Sequence, residues 1–198
     1  MTIITSFYTS DWKYPEFAKK LSKNCEDLEL KYNIVEKKSN NDYLKNCNIK
    51  PFFIRETLNK FKSPILWMDV DGSIVSRPDL LFTDEILNYD IAANRGRSNL
   101  EKIHVGSIWF NYTEITLAFI NDWCKKVLDG GIDDGQFNSV WNTYKNTMRF
   151  YELPQNYFVI LKSLNAIPPE HSCIIHRISK SSLKQTYKKQ LSKKKHNK

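Results

Sequence analysis

Glycine and proline are scarce in this 198-residue chain, with six Gly and seven Pro. That scarcity excludes collagen-like and low-complexity chains. No run approaches the roughly 18 apolar residues of a membrane span, and the opening MTIITSFYTSDWKYPEF lacks the basic-then-apolar order of a signal peptide. The four cysteines, Cys25, Cys47, Cys124 and Cys173, include no C-x-x-C pair. This spacing gives no zinc pattern, and scattered reduced thiols fit a cytosolic protein. What is present is 41% hydrophobic and 13% aromatic residues, with 26% charged. That composition excludes wholesale disorder and supports one domain with a full core.

Acidic charge is missing from one end. Of the 30 Lys and Arg, nine fall at 177–198, where no Asp or Glu occurs, and the remaining 21 face 22 acidic residues. The body, residues 1–178, is therefore nearly neutral, and residues 179–198 form an appended cationic tail. In that tail Leu183, Tyr187 and Leu191 recur at four-residue steps among lysines. Such a segment suits a solvated end, an anionic membrane surface, or the phosphates of DNA.

Strand-like and helix-like periods alternate along the body. Residues 2–8 are β-rich and predict a first strand. Residues 15–30 carry Phe17, Leu21, Cys25 and Leu28 at helical spacing behind Pro15. Residues 32–36 predict a second strand, and the polar, Asn-rich stretch 38–48 a loop. A helix is predicted over 51–61, then the apolar run 65–70, a strand at 89–94, a loop at 95–102 and a strand at 104–111. Helices over 113–128 and around Phe137, Val140, Trp141 and Tyr144 follow, with short strands at 149–153 and 173–176. The alternation implies an α/β fold, a central, mainly parallel sheet flanked by helices.

The stretch PILWMDVDGSIVSRP at 64–78 carries the chemistry. If it is extended, Asp69 and Asp71, two residues apart, face the same side, at the edge of a parallel sheet where open α/β folds bind ligands. Paired carboxylates suit a hard cation such as Mg²⁺ or Mn²⁺ completed by phosphate oxygens. A solvated turn after a core strand is the plain alternative.

D-x-D-G-S after an apolar strand resembles the first motif of haloacid-dehalogenase-like phosphatases, which would make Asp69 a nucleophile and Asp71 an acid/base. It also resembles the metal-binding D-x-D of GT-A glycosyltransferases. In the phosphatases the motif belongs to the first strand, whereas here two strand–helix units precede it. Further patches resemble the small nucleotide-diphospho-sugar transferases in order. They are Thr5-Ser6-Phe7-Tyr8, Lys50-Pro51-Phe52-Phe53-Ile54, Ser76-Arg77-Pro78, Val105-Gly106-Ser107-Ile108-Trp109-Phe110-Asn111, Asp133-Asp134-Gly135-Gln136, Leu153-Pro154 and Ile174-Ile175-His176.

The GT-A resemblance implies a single Rossmann-like domain that moves a sugar from a nucleoside-diphosphate sugar to a hydroxyl acceptor with Mn²⁺ or Mg²⁺. It places Thr5, Ser6, Phe7 and Tyr8 at the base and ribose, and Lys50 near the diphosphate. Asp71 would bind the metal, with Asp69 on metal or ribose and His176 as a third ligand. Arg177 and Lys180 would hold the leaving diphosphate, and Gly106 and Ser107 would line the sugar pocket. Asp133, Asp134 and Gln136 would bind sugar hydroxyls, or one Asp would serve as general base. Each position has a plainer reading: His176 a half-buried strand end, Arg177 and Lys180 the start of the tail, Gly106 close packing, Asp133 and Asp134 helix capping. Acceptors open at this point are a glycan or lipid-linked sugar, or hydroxylated DNA bases reached through the tail. A nucleotide- or nucleic-acid-binding module without turnover is the non-enzymatic alternative.

Overall fold

The structure is a computed structural model that describes residues 1–96, 100–161 and 167–177. The tail at 179–198 with Lys180, and the side chain of Arg177, lie outside the described residues. The chain opens with β1 (Ile3–Tyr8), α1 (Tyr14–Asp27) and β2 (Tyr32–Glu36). Next come α2 (Tyr43–Cys47), α3 (Lys50–Phe61), β3 (Ile65–Met68) and β4 (Gly72–Ile74). Two 3-10 turns lead to β5 (Ile91–Arg95), β6 (Ile103–Phe110), α4 (Glu114–Leu128) and α5 (Asp133–Tyr144). The strands β7 (Phe150–Glu152), β8 (Val159–Leu161) and β9 (Ile174–Arg177) complete the body.

Among the described residues, six strands form the main sheet in the order β2-β1-β3-β6-β5-β7, and β4-β9-β8 form a second sheet. In the main sheet the pairs β1–β2, β1–β3 and β5–β7 are parallel, and β6 runs against both of its neighbours. The expected α/β fold with a mainly parallel central sheet is what the chain adopts. The apolar run ILWM of β3 is buried on both faces, as a central strand must be. Ile65 and Trp67 pack with α3, α4 and α5 on one side, while Leu66 and Met68 pack with α1, β4 and β9 on the other.

Three local expectations change. The polar stretch 38–48 holds α2, because the Asp42 carboxylate accepts from the backbone N–H groups of Leu44 and Lys45 and caps a helical turn there. Asp69 and Asp71 do not sit on an extended segment. β3 ends at Met68, and the Gly72 amide donates to the Asp69 carbonyl at 2.8 Å, closing a tight turn. The small sheet built on β4 and β8 was not legible, because three-residue strands carry too little periodicity.

Candidate active site

The parallel strands aim the C-terminal ends of β1 and β3 at one edge, and antiparallel β6 brings its N-terminal end to the same edge. The first residues of α3 and α5 lie there too. An open cleft of about 850 Å³ results, lined among others by Phe7, Tyr8, Tyr14, Tyr43, Lys50, Asp69, Asp71, Val105, Asp133 and Asp134. This is where the connections of an open α/β sheet leave room for a ligand.

At its floor lies an ion-pair triad. The Lys50 ammonium sits 2.9 Å from Asp69 Oδ1 and 2.7 Å from Asp133 Oδ2, and 3.5 Å from the Val105 carbonyl oxygen. Lys50 and Asp133 are only 6% and 3% exposed. Burial opposes charge on Lys50, but Asp133 and Asp69 outweigh it and hold the ammonium well above the ordinary lysine range. An ammonium has three donors, and three acceptors surround this one. Lys50, which the GT-A resemblance places near the diphosphate, lines the cleft with its ammonium between two carboxylates.

The neighbouring Asp134 behaves differently. It lies exposed at the cleft mouth, with Oδ1 accepting from Asn138 Nδ2 at 3.1 Å. Desolvation by the cleft wall is the largest influence on its carboxyl. Lys50 pulls the other way, but the carboxylates of Asp133 and Asp69 add to the rise, so the group stays above the ordinary range. Neither Asp133 nor Asp134 caps α5, whose N-cap, Ile132, makes no side-chain cap bond. Gln136 turns away: its amide donates to the Gly130 carbonyl and it does not line the cleft. Cys47 also faces the cleft, but burial pushes its thiol up to about 12, so it stays protonated and is no nucleophile at neutral pH.

Of the strand-one residues, Phe7 and Tyr8 reach the cleft, whereas Thr5 and Ser6 are fully buried within the sheet. Tyr43, Asn46 and Cys47 line the cleft from a stretch whose polar composition predicts a loop; the local signal for the helix is Asp42 as its N-cap. Asn46 ties this segment to the loop between β1 and α1 by donating to Asp11 Oδ2 at 3.4 Å.

His176 is not among the residues that line the cleft. In the register of β4 and β9 it faces Gly72, and its Nε2 is 3.3 Å from Ser107 Oγ. Its ring packs on Phe158 at a tilt of 32°, with ring centres 4.5 Å apart. A Cβ on Gly106 would come within 3.1 Å of the His176 ring and 3.3 Å of Phe158. Gly106 and Ser107 therefore seat His176, and close packing explains the glycine. Among the described residues no three His, Cys, Asp or Glu side chains gather as a group fit to hold a metal. Asp69 and Asp71 do line the same cleft on one turn, and a pair of hard carboxylates is the donor set that Mg²⁺ or Mn²⁺ takes when substrate oxygens supply the rest.

No family model and no curated protein matches this sequence. The fold, however, is shared with solved enzymes. A glycosyltransferase involved in the glycosylation of the major capsid of PBCV-1 superposes with a TM-score of 0.65 at 14% identity, covering 97% of this chain and 98% of that one. Mouse xyloside xylosyltransferase 1, in its apo form, superposes with a TM-score of 0.56 at 11% identity, covering 89% of this chain and 97% of that one. The chain thus has, over nearly its whole body, the fold of these glycosyltransferases.

Proposed function

We propose that this protein is a GT-A-type glycosyltransferase that moves a sugar from a nucleoside-diphosphate sugar to a hydroxyl acceptor. One observation carries the reading: on a fold shared with glycosyltransferases, four aspartates from two elements converge on one cleft at the sheet edge. Phe7, Tyr8, Tyr14 and Tyr43 give that cleft flat apolar walls against which a nucleoside can lie. Asp71 and Asp69 would hold Mn²⁺ or Mg²⁺. Such a cation, when bound, supplies positive charge to a departing diphosphate. Lys50 fixes Asp69 and Asp133 in place and neutralises part of their charge, so a diphosphate meets less repulsion. Asp134, unclaimed by Lys50 and raised in pKa, is suited to take the proton of the acceptor hydroxyl.

The experiment is a thermal-shift screen of UDP-, GDP-, CMP- and dTDP-sugars with and without Mn²⁺. Ligand binding to the native state raises the melting temperature by mass action, so at least one donor should produce a metal-dependent rise. Asp71→Ala should remove that rise and the slow hydrolysis of the donor while leaving the unliganded melting temperature near wild type. The absence of any donor effect would overturn the proposal. Turnover of a chromogenic phosphate ester with Mg²⁺ would instead mark a phosphatase.

A further inference from the structure

α5 carries a buried amide within its apolar stretch. Phe137, Val140 and Trp141 of this helix belong to the main core, and Asn138, between them in sequence, is only 9% exposed. Asparagine is a poor helix former, and burying an amide costs stability unless its groups are paired. Asn138 is paired at both ends of its amide. Its Oδ1 accepts from the Ile103 backbone N–H at 2.7 Å, and its Nδ2 donates to the Ile103 carbonyl oxygen at 3.2 Å. One side chain thus holds both backbone groups of the first residue of β6, as a neighbouring strand would.

The same amide reaches back one turn to Asp134. Nδ2 lies 3.0 Å from the Asp134 carbonyl oxygen and 3.1 Å from Asp134 Oδ1. An amide nitrogen has two hydrogens, and here three acceptors share them. Asp134 is exposed at the cleft mouth, where a short side chain would otherwise turn among its staggered rotamers. The two adjacent aspartates are therefore held by different means. Asp133 is buried against the Lys50 ammonium at 2.7 Å, which neutralises its charge. Asp134 is bonded by a neutral amide, which orients the carboxylate and leaves its charge in place. Lys50, Asp133, Asp69 and His104 are the charged or titratable groups that bear on Asp134, and with all of them its carboxyl stays above the ordinary range.

We infer that Asn138 is a positioning residue, whose side-chain amide fixes the Asp134 carboxylate relative to the start of β6. It is thereby also fixed relative to the cleft wall that β6 builds at Val105. A base works only within hydrogen-bond reach of its proton, and a displacement of about 1 Å can cost on the order of 10²-fold in rate. Tying Asp134 to the sheet through Ile103 supplies that placement without a second charge. The inference rests on the sugar-transfer reading for the use of Asp134 as base, whereas the placement itself rests on geometry alone.

Three-bond NMR couplings that report the Asp134 side-chain rotamer test the placement on the full chain, with no donor present. Wild type should show one rotamer, and Asn138→Ala should show averaging among them. Asp134 is exposed, so Asp134→Ala keeps the test valid if the Asn138 variant does not fold. In that variant the Asn138 side-chain amide protons should shift upfield as a bond is lost. The rate test is a double-mutant cycle on hydrolysis of the donor that the thermal-shift screen identifies. Asn138→Ala should lower kcat about tenfold, the worth of one hydrogen bond, with donor KM within about twofold of wild type. In an Asp134→Asn background the same substitution should change neither. Averaging already in wild type, a single rotamer in Asn138→Ala, unmoved amide protons or an equal rate loss in both backgrounds would each overturn the inference. Failure of the donor screen would remove the role of Asp134 as base, and the rotamers would still decide whether Asn138 places it.

Discussion

The Lys50 ammonium lies 2.7 Å from Asp133 Oδ2, and both side chains are almost fully buried. The first residue of α3 is thereby joined to the first residue of α5, and through Asp69 to the turn after β3. The edge of the sheet is held by charge at the point where the cleft opens.

Removing the cation from this triad should be costly. Lys50→Met leaves two carboxylates facing each other without compensation, and the free energy of unfolding should drop by about 3–5 kcal/mol. Urea denaturation measures this. An unchanged midpoint would show that water, not Lys50, balances those charges.

Asp134→Asn should leave the fold intact and slow sugar transfer by about 10²–10⁴-fold, the usual worth of a positioned base. Because the carboxyl lies above the ordinary range and is active when ionised, wild-type activity should fall as pH drops through that raised value. The acid limb of kcat/KM should therefore stand above that of an ordinary aspartate, and the variant should lose it.

Gly106→Ala forces a methyl group against the His176 and Phe158 rings. Overpacking of this kind costs about 1–3 kcal/mol. A lower melting temperature should follow, measured by differential scanning fluorimetry.

Acid sensitivity should centre on Asp90. Burial by itself raises its carboxyl, but hydrogen bonds from the Arg149 side chain and backbone and from Thr113 outweigh this and hold it below the ordinary range. A depressed folded pKa gives stability that is present above the unfolded value, about 3.9, and lost as pH falls toward the folded one. Asp90→Asn should lower stability at neutral pH and flatten the acid side of the stability–pH curve, as followed by circular dichroism.

Much of the fold was legible because it is local. Apolar residues at three- and four-residue steps marked α1, α3, α4 and α5 to within a few residues, and the buried run Ile65–Met68 marked β3. The turn bearing Asp69 and Asp71 is marked by its carboxylates, but not its geometry: β3 ends at Met68, two residues short of the apolar run, and alternation gives way to a turn. Gln136 was misplaced because a side chain near a helix start has a competing partner in the preceding turn, here the Gly130 carbonyl.

The sequence by itself determined the order of the main-sheet strands and of α1, α3, α4 and α5, the near-neutral body with its cationic end, and the carboxylates at 69, 71, 133 and 134. Periodicity and composition act over a few neighbouring residues, and they are written in the chain directly. Only the tertiary structure decided that β6 runs against its neighbours, that Lys50 belongs to Asp69 and Asp133, and that the Asn138 amide closes on Ile103. Those meetings depend on strand order, register and helix placement, which arise from packing the whole core and leave no local mark.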